Sequence, residues 1–362
     1  MSGNYEGIKT RGYGIEIECT GITRNQAAKA VAKVLESYAV NEGGSYDKYT
    51  IKDNKERKWS IVYDGSIKCI DRNRNTTSSR LYSVELNSPV LAYEDIPMLQ
   101  EVVRALRKSG AVTGAEYKCG IHIHISADDF DARSLRNLVN IFASKEDFLW
   151  EALQVSSMRS GYCEKVDQRF LSELNKKKPK TIEEIERLWY NGESRRNYHY
   201  DSSRYRALNL HSYFSGGHFE IRCCNSSLHA GVIRSYLTLA LAISNAAVTK
   251  KYCSPKVSRS DNMRYSFRVW LLNLGLIGEE YKNCRSHLLK HLDGNIAWRH
   301  PEDAIAQRER LRQERIAERE QACANLSAPA EEAEITPDEI SEDCESEFEE
   351  EETEEMGMEL SM

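Results

Sequence analysis

The sequence CGIHIHIS (residues 119–126) alternates histidine with isoleucine, and this alternation predicts a β-strand. Side chains two residues apart share one face of a strand, so the isoleucines at 121, 123 and 125 point together into a core. Gly120, His122, His124 and Ser126 then point the other way. A half-exposed strand with solvated histidines would show the same pattern, so the rest of the chain has to decide.

Three further stretches repeat the alternation with charged side chains. If the four strands join one sheet, one face packs on helices and the other holds four carboxylates, the imidazoles and an arginine. The polar sets are Glu16 and Glu18 in residues 14–18, Ser83, Glu85 and Asn87 in residues 83–87, and His218, Glu220 and Arg222 in residues 218–223.

Helical patterns separate hairpin-like pairs of strands. Such an order favours an α+β fold over a doubly wound sheet. We expect a curved, largely antiparallel sheet with helices on one face and a polar site on the other. Further strands are expected at 59–67 and 205–211, a loop or hairpin at 41–58, and helices at 23–36, 98–110, 134–153, 181–189, 230–248, 262–274 and 279–291.

The charge of the chain is unevenly distributed. The net charge is −6, yet residues 331–362 hold 16 acidic residues and no Lys or Arg, which leaves 50 basic and 40 acidic residues elsewhere. Blocks of like charge repel themselves and do not fold. We therefore expect a folded domain at 1–300, a charged Arg/Glu-rich helix at 301–325 and an acidic disordered tail at 326–362.

Composition also limits the setting in which the protein works. No long uncharged apolar run and no signal-peptide pattern is evident, so we expect a cytoplasmic protein with no membrane partner. None of the ten cysteines forms a C-x-x-C pair, which argues against a zinc ribbon or a disulfide scaffold. We expect no nucleic-acid partner, and the oligomeric state is left open.

The polar face itself points to metal chemistry. Four neighbouring carboxylates repel one another unless a counter-charge is present. Carboxylates with one or two imidazoles suit Mg²⁺ or Mn²⁺ better than a closed zinc site. Oxygen-rich Mg²⁺ sites commonly hold nucleotide phosphates, and an adjacent arginine suits a transferring phosphoryl group.

The ordered set of motifs resembles the amidoligase family, a branch of the glutamine synthetase and γ-glutamylcysteine synthetase superfamily. The resemblance covers roughly residues 10–290. It implies a glutamine synthetase-like catalytic domain. The matching elements are Gly14–Glu18, Trp59 with Asp64-Gly65-Ser66, Glu85–Pro89, Gly120–His124, Arg206 with Leu208-Asn209, and Glu220–Arg222.

The resemblance implies ATP-dependent ligation of a small-molecule or peptide carboxylate to an amine. ATP would phosphorylate the carboxylate, and the amine would attack the acyl phosphate. Glu18 and Glu85 would hold one Mg²⁺ or Mn²⁺, and Glu16, His122 and Glu220 would hold the metal nearer the γ-phosphate. Because Glu16→Gln relieves repulsion, we expect it to preserve or improve the metal-free fold.

The same resemblance implies roles for the remaining polar residues. His124 and Ser126 would contact the nucleotide, and Arg222 would bind the nucleotide and stabilise the phosphoryl group in flight. Arg206 would be catalytic at the substrate pocket. The other residues implied for that pocket are Asp64, Ser66 and Asn209.

Two departures leave the acceptor open. After Arg222 the family has an aromatic residue and a glycine-containing turn, whereas this chain has Cys223–Ser227. The loops at 41–58 and 68–80 are long and charged.

Three alternatives to a ligase remain. One is an ATP-independent zinc hydrolase on a parallel barrel, which would recruit further histidines: His199, His211, His218 and His229. A second is amide hydrolysis at the same site. The third is a non-catalytic scaffold that keeps the fold, against which the retention of every expected ligand argues.

Overall fold

A computed structural model of the chain describes residues 5–159 and 161–326. The chain divides into a first unit that ends at Ala304 and a second that begins at Ile305. In the described residues the strands are β1 (Tyr13–Cys19), β2 (Ala39–Gly43), β3 (Lys48–Lys52), β4 (Lys58–Val62), β5 (Val84–Asn87), β6 (Gly120–Ser126), β7 (Leu208–Asn209) and β8 (His218–Asn225).

The helices alternate with groups of strands, as the sequence predicts. They are α1 (Gly7–Thr10), α2 (Arg24–Val34), α3 (Ile96–Lys108), α4 (Ala132–Ala152), α5 (Gln168–Lys177), α6 (Ile182–Trp189), α7 (His211–Gly216), α8 (Ala230–Thr249), α9 (Met263–Asn273), α10 (Lys282–Leu289) and α11 (Pro301–Leu326). The charged helix expected at 301–325 corresponds to α11. The expected acidic tail lies outside the described residues from 327 onward, and the domain boundaries stay predictions.

All eight strands form one open sheet in the order β2-β3-β4-β5-β1-β6-β8-β7. Every pairing between neighbours is antiparallel. The predicted mixed fold with an antiparallel sheet is thus confirmed, while its curvature stays a prediction. A parallel barrel, the fold of the rival zinc hydrolase, is wrong for these residues.

The four strands with alternating patterns are direct neighbours, in the order β5, β1, β6, β8. Glu16 pairs with Asn87 on one side and with His122 on the other. Glu18 pairs with Glu85, and His124 pairs with Glu220. The register therefore collects the predicted polar side chains on one face.

The opposite face of these strands is core. Ile15, Ile17 and Ile123 are at most 1% exposed, and they join one apolar cluster with residues of α2, α3, α4 and α8. By length and composition alone α8 could cross a membrane, but 72% of its most apolar window is buried inside the structure. Packing in the core accounts for its apolar sequence, and the absence of a membrane partner stays a prediction.

The observed elements differ from the expected ones at several points, two of which lie between β6 and β8. The strand expected at 205–211 contains only Leu208–Asn209 and runs into α7, because Asn209 Oδ1 accepts the backbone N–H of His211 at 2.8 Å and turns the chain. Helix α5 was not predicted. Its signal is an N-cap, since Asp167 Oδ1 accepts the N–H of Phe170 at 2.7 Å.

Candidate active site

Four carboxylates lie on adjacent strands at the centre of the polar face. Glu16 and Glu18 project from β1, Glu85 from β5 and Glu220 from β8. Glu18 and Glu220 are buried, and the other two are half-buried. Because burial and mutual repulsion both disfavour ionisation, each negative charge needs a compensating positive group.

Glu16, His124 and Glu220 form what we call the imidazole cluster. One ligand atom from each lies within 4.8 Å of the others. His122 Nδ1 is hydrogen-bonded to Glu16 Oε2 at 2.7 Å and lies 3.5 Å from Glu220 Oε1. His124 Nε2 lies 3.1 Å from Glu16 Oε1, outside hydrogen-bond geometry, and is buried without another partner among the described residues. This nitrogen is placed to act as a metal ligand.

The protein itself compensates the charges of the imidazole cluster. Burial would raise the pKa of Glu16, but His122 and His124 outweigh it and hold the pKa well below its ordinary value. Burial also opposes ionisation of Glu220, yet Arg222 and His122 lower its pKa. Burial disfavours charged His124, and Glu16 outweighs this and raises its pKa. Both glutamates therefore stay anionic without a metal.

Glu18, Asp64 and Glu85 form what we call the oxygen cluster, with ligand atoms again within 4.8 Å of one another. Glu18 Oε2 accepts the backbone N–H of Gly120 at 2.6 Å, and Glu85 Oε1 accepts from Asn87 Nδ2 at 2.8 Å. Its three side chains supply only carboxylate oxygens, the ligands that Mg²⁺ prefers.

Groups among the described residues compensate the oxygen cluster only in part. Burial is the main reason why the pKa of Glu85 lies well above its ordinary value, and the charges of Glu16, Asp64 and Glu18 add to it. Burial likewise raises the pKa of Glu18, and the opposing effect of His122 does not offset it. This cluster therefore favours a proton or a cation.

Asp64 reaches the oxygen cluster from a turn rather than from a strand. Its backbone N–H donates to Ser83 Oγ at 3.0 Å, and Ser83 Oγ donates to the Asp64 carbonyl at 2.6 Å. Asp64 Oδ1 also accepts the N–H of Ser66 at 2.6 Å. The turn after β4 is thereby fastened beside β5.

Arg222 provides a positive charge at the buried end of the polar face. It is 6% exposed, and its Nη1 donates to Glu220 Oε1. Asn209 Nδ2 donates to the other oxygen of Glu220 at 2.7 Å. Both carboxylate oxygens of Glu220 are thus held in place.

The polar face is the floor of a groove made of three cavities that share Glu16. The first, about 300 Å³, contains the imidazole cluster with Asn209 and Arg222. The second, about 340 Å³, contains the oxygen cluster with Ser66 and His122. The third, about 390 Å³, is lined by His124 and Ser126.

The structure thus brings together eleven of the twelve predicted site residues. Arg206 is the exception: its Nη1 donates to the Lys165 carbonyl at 2.9 Å, and it lies 3.5 Å from the carboxylates of Glu164 and Asp167. It lines a separate cavity of about 530 Å³. A catalytic role for Arg206 in the groove is not supported, because its side chain is committed elsewhere.

Two residues of the groove have other neighbours than predicted. His124, rather than His122, completes the imidazole cluster, and Asp64, which was expected in the substrate pocket, joins the oxygen cluster.

Residues 191–205 contribute side chains to the groove that the sequence did not indicate; we call this segment the strap. Arg204 and His199 line both the first and the second cavity. The guanidinium of Arg204 lies 5.9 Å from the ring centroid of Tyr200 and 5.8 Å from that of Tyr205. No strand pattern marks this segment, so only its position over the sheet shows its place in the groove.

Comparison with known families agrees with the motifs. Residues 9–244 match the family described as "Putative amidoligase enzyme". The match ends inside α8, earlier than the expected resemblance to about residue 290. No curated protein matches the chain. The matched region covers β1 to β8 with both clusters, and the chain belongs to this amidoligase family, which makes it an enzyme of the ligase type.

Proposed function

We propose that the protein is an ATP-dependent carboxylate–amine ligase with a glutamine synthetase-like catalytic domain. The observation that carries the proposal is the pair of metal-competent clusters on adjacent strands, joined by His122, in a chain of the amidoligase family. His122 Nε2 lies 3.9 Å from Glu18 Oε1, while its Nδ1 contacts Glu16. Two metals held side by side on neighbouring strands suit a reaction that transfers a phosphoryl group.

The residues of the groove fit divalent cations. In the oxygen cluster, Glu85 and Glu18 have raised pKa values, chiefly because of burial, and gain from a nearby positive charge. In the imidazole cluster, the buried Nε2 of His124 has no hydrogen-bond partner among the described residues. Mg²⁺ suits the first cluster, and Mg²⁺ or Mn²⁺ suits the second. When bound, such ions neutralise the carboxylates and the phosphate oxygens of ATP.

The third cavity supports a nucleotide site next to the imidazole cluster. His124 and Ser126 line it from β6, and His218 and Pro89 line it from the neighbouring elements. The ring centroids of His124 and His218 lie 5.0 Å apart, so an aromatic surface adjoins the metal ligands. We place ATP here, with its terminal phosphate toward Glu16 and Glu220.

Arg222 then faces the transferring phosphoryl group. The substrate carboxylate attacks the γ-phosphorus, and ADP leaves. The planar guanidinium can donate two hydrogen bonds to the oxygens on which charge develops. The amine nitrogen next attacks the acyl carbon, loses its proton and expels phosphate. Glu220 holds Arg222 in position for the first step.

The second cavity is the proposed place for the carboxylate and the amine. It contains Asp64 and Ser66 from the turn after β4, and Arg204 and Tyr200 from the strap. This mixture of charges fits small-molecule or peptide substrates. We place the enzyme in the cytoplasm and propose no membrane or nucleic-acid partner.

The test measures release of ADP and phosphate in the presence of Mg²⁺ or Mn²⁺, against a panel of carboxylates paired with amines. We expect turnover that needs ATP, one acid and one amine together, and that chelation abolishes. Glu101→Gln is the matched control, because Glu101 is exposed on α3 and, among the described residues, pairs with Arg104 alone. Amide hydrolysis without ATP, or turnover that survives complete chelation, would refute the ligase.

A further inference from the structure

A β-bulge lies in β8 at the catalytic arginine. Ile121 pairs with Cys224, but Ile123 pairs with Ile221, so β8 contains one residue more than β6 between these pairs. His122 consequently lies opposite Arg222 and Cys223. Bulges interrupt the hydrogen-bond ladder and change the direction of side chains, and they are frequent beside active sites.

Arg159 binds the backbone on both sides of this bulge. Its Nη1 donates to the Cys224 carbonyl at 2.6 Å, and its Nη2 donates to the Arg222 carbonyl at 2.9 Å. Arg159 also lines the second cavity, but it is only 3% exposed, so these hydrogen bonds are largely shielded from water and a lost partner is costly. The two terminal nitrogens of the Arg159 guanidinium therefore bind β8 on both sides of the bulge.

Gly120, at the start of β6, leaves room for the guanidinium of Arg159. A Cβ atom built on Gly120 would lie 2.2 Å from Arg159 Nη2 and 2.8 Å from its Cζ. Any side chain at this position would expel Arg159 from its site. The glycine of the motif and an arginine 39 residues later thus act as one unit.

The turn that carries Arg159 also contacts the side chain of Arg222. The N–H of Tyr162 donates to the Arg159 carbonyl at 2.8 Å, and the Tyr162 carbonyl accepts from Arg222 Nε at 3.4 Å. Arg222 is therefore held at its backbone by Arg159, at its Nε by Tyr162 and at its Nη1 by Glu220.

We propose that Arg159 is a positioning residue that holds the β8 bulge and so aims the Arg222 guanidinium at the reacting phosphoryl group. The inference rests on the proposed function for the role of Arg222. Neither the backbone contacts of Arg159 nor its fit against Gly120 depends on that function.

Two variants remove the contact between Arg159 and the bulge of β8 in different ways. Arg159→Lys keeps the charge but offers one compact donor group instead of a planar fork. Gly120→Ala leaves Arg159 in the chain and displaces it by steric collision. We expect both to lower kcat by about tenfold, no more than a change of Arg222 itself, while KM for ATP changes less than about threefold.

Gly161→Ala is the matched control, since a Cβ there has no heavy atom within 4 Å. It should retain wild-type turnover. The double variant Gly120→Ala/Arg159→Lys should lose no more activity than the worse single variant, because the two changes act on one contact.

Hydrogen–deuterium exchange of the peptide that spans β8 gives a readout independent of turnover. We expect faster exchange there in Arg159→Lys and Gly120→Ala than in wild type and Gly161→Ala. Unchanged exchange in both variants would show that Arg159 does not hold the bulge of β8. Faster exchange with wild-type kcat shows a purely structural Arg159 and overturns the positioning role. Absence of ATP turnover in the wild-type enzyme overturns the proposed function and this role, while exchange still decides whether Arg159 holds the bulge.

Discussion

The imidazole cluster and the oxygen cluster solve the same electrostatic problem in opposite ways. In the first, burial is outweighed by His122, His124 and Arg222, so the pKa values of Glu16 and Glu220 are lowered. In the second, burial and neighbouring acids dominate, and the pKa of Glu85 is raised.

The difference shows that the charges of one half of the site are compensated as folded and those of the other half are not. Removing an acid from the imidazole cluster breaks an existing ion pair. Removing one from the oxygen cluster relieves a cost that the metal-free protein bears. The expectation that Glu16→Gln preserves or improves the metal-free fold is therefore reversed. Relief of repulsion is expected from removal of the Glu85 charge instead.

The largest effect is expected for Glu16→Gln. The variant removes a metal ligand and the negative charge that faces both imidazoles, so we expect turnover to fall at least about 100-fold. A carboxyl group with a lowered pKa stabilises the fold above its unfolded pKa, and this stabilisation is lost as pH falls through the folded pKa. The metal-free variant should therefore melt below wild type at pH 7, with a smaller gap at acid pH. Equal or higher melting temperature at pH 7 would contradict the comparison.

Glu85→Gln should abolish activity to a similar degree with the opposite effect on the fold. A raised pKa means that stability is lost as pH rises from the ordinary value through the folded pKa. In chelator at pH 8 the variant should melt above wild type, and at acid pH the two should converge. Mg²⁺ should stabilise wild type more than the variant. A variant that melts below wild type in chelator would show that the oxygen cluster is compensated after all.

Arg222→Lys tests the role of the Arg222 guanidinium, which is proposed to lie between the phosphoryl group and Glu220. Lysine keeps the charge but not the planar fork, so we expect kcat to fall about tenfold while nucleotide affinity changes little. Single-turnover rates and ADP titrations separate these quantities. Near-normal turnover would mean that Arg222 serves only to neutralise Glu220.

The smallest effect is expected outside the groove, at Glu146 on α4. Burial raises the pKa of Glu146 to about 7, although its Oε1 accepts the N–H of Val166 at 2.6 Å. Wild type should lose stability between about pH 4.5 and 7, by at most about 3.5 kcal/mol at about 1.4 kcal/mol per pKa unit. Glu146→Gln should remove this loss and leave turnover unchanged. A difference in melting temperature that is the same at pH 4.5 and pH 8 would contradict the assignment.

The polar face could be predicted because its information is local. Alternation with period two assigns Glu16, Glu18, His122 and His124 to one face without knowledge of the strand order. The neighbouring strands then met in a register that opposes Glu18 to Glu85.

The residues that were misplaced depend on distant contacts. Asp64 joins the oxygen cluster because Ser83, 19 positions away, fastens its turn. Arg204 and Arg206 are two residues apart, yet only the first lines the groove, because Arg206 sits in a bridge with Glu164. Arg159 had no signal of its own, because its partners, the Cys224 and Arg222 carbonyls, are 65 and 63 positions away and its guanidinium fits the space above Gly120.

The two edge strands of the sheet limit how it can associate. At one edge β7 has only two residues before α7 begins. At the other, β2 shifts register between Asn41 and Gly43, and Glu42 pairs with Lys48 of β3 at 3.2 Å. Short strands, bulges and charges at an edge all discourage the addition of a foreign strand. A second copy or an extended peptide would therefore find no regular backbone template at either edge, so growth of the sheet into fibres is opposed by its own borders.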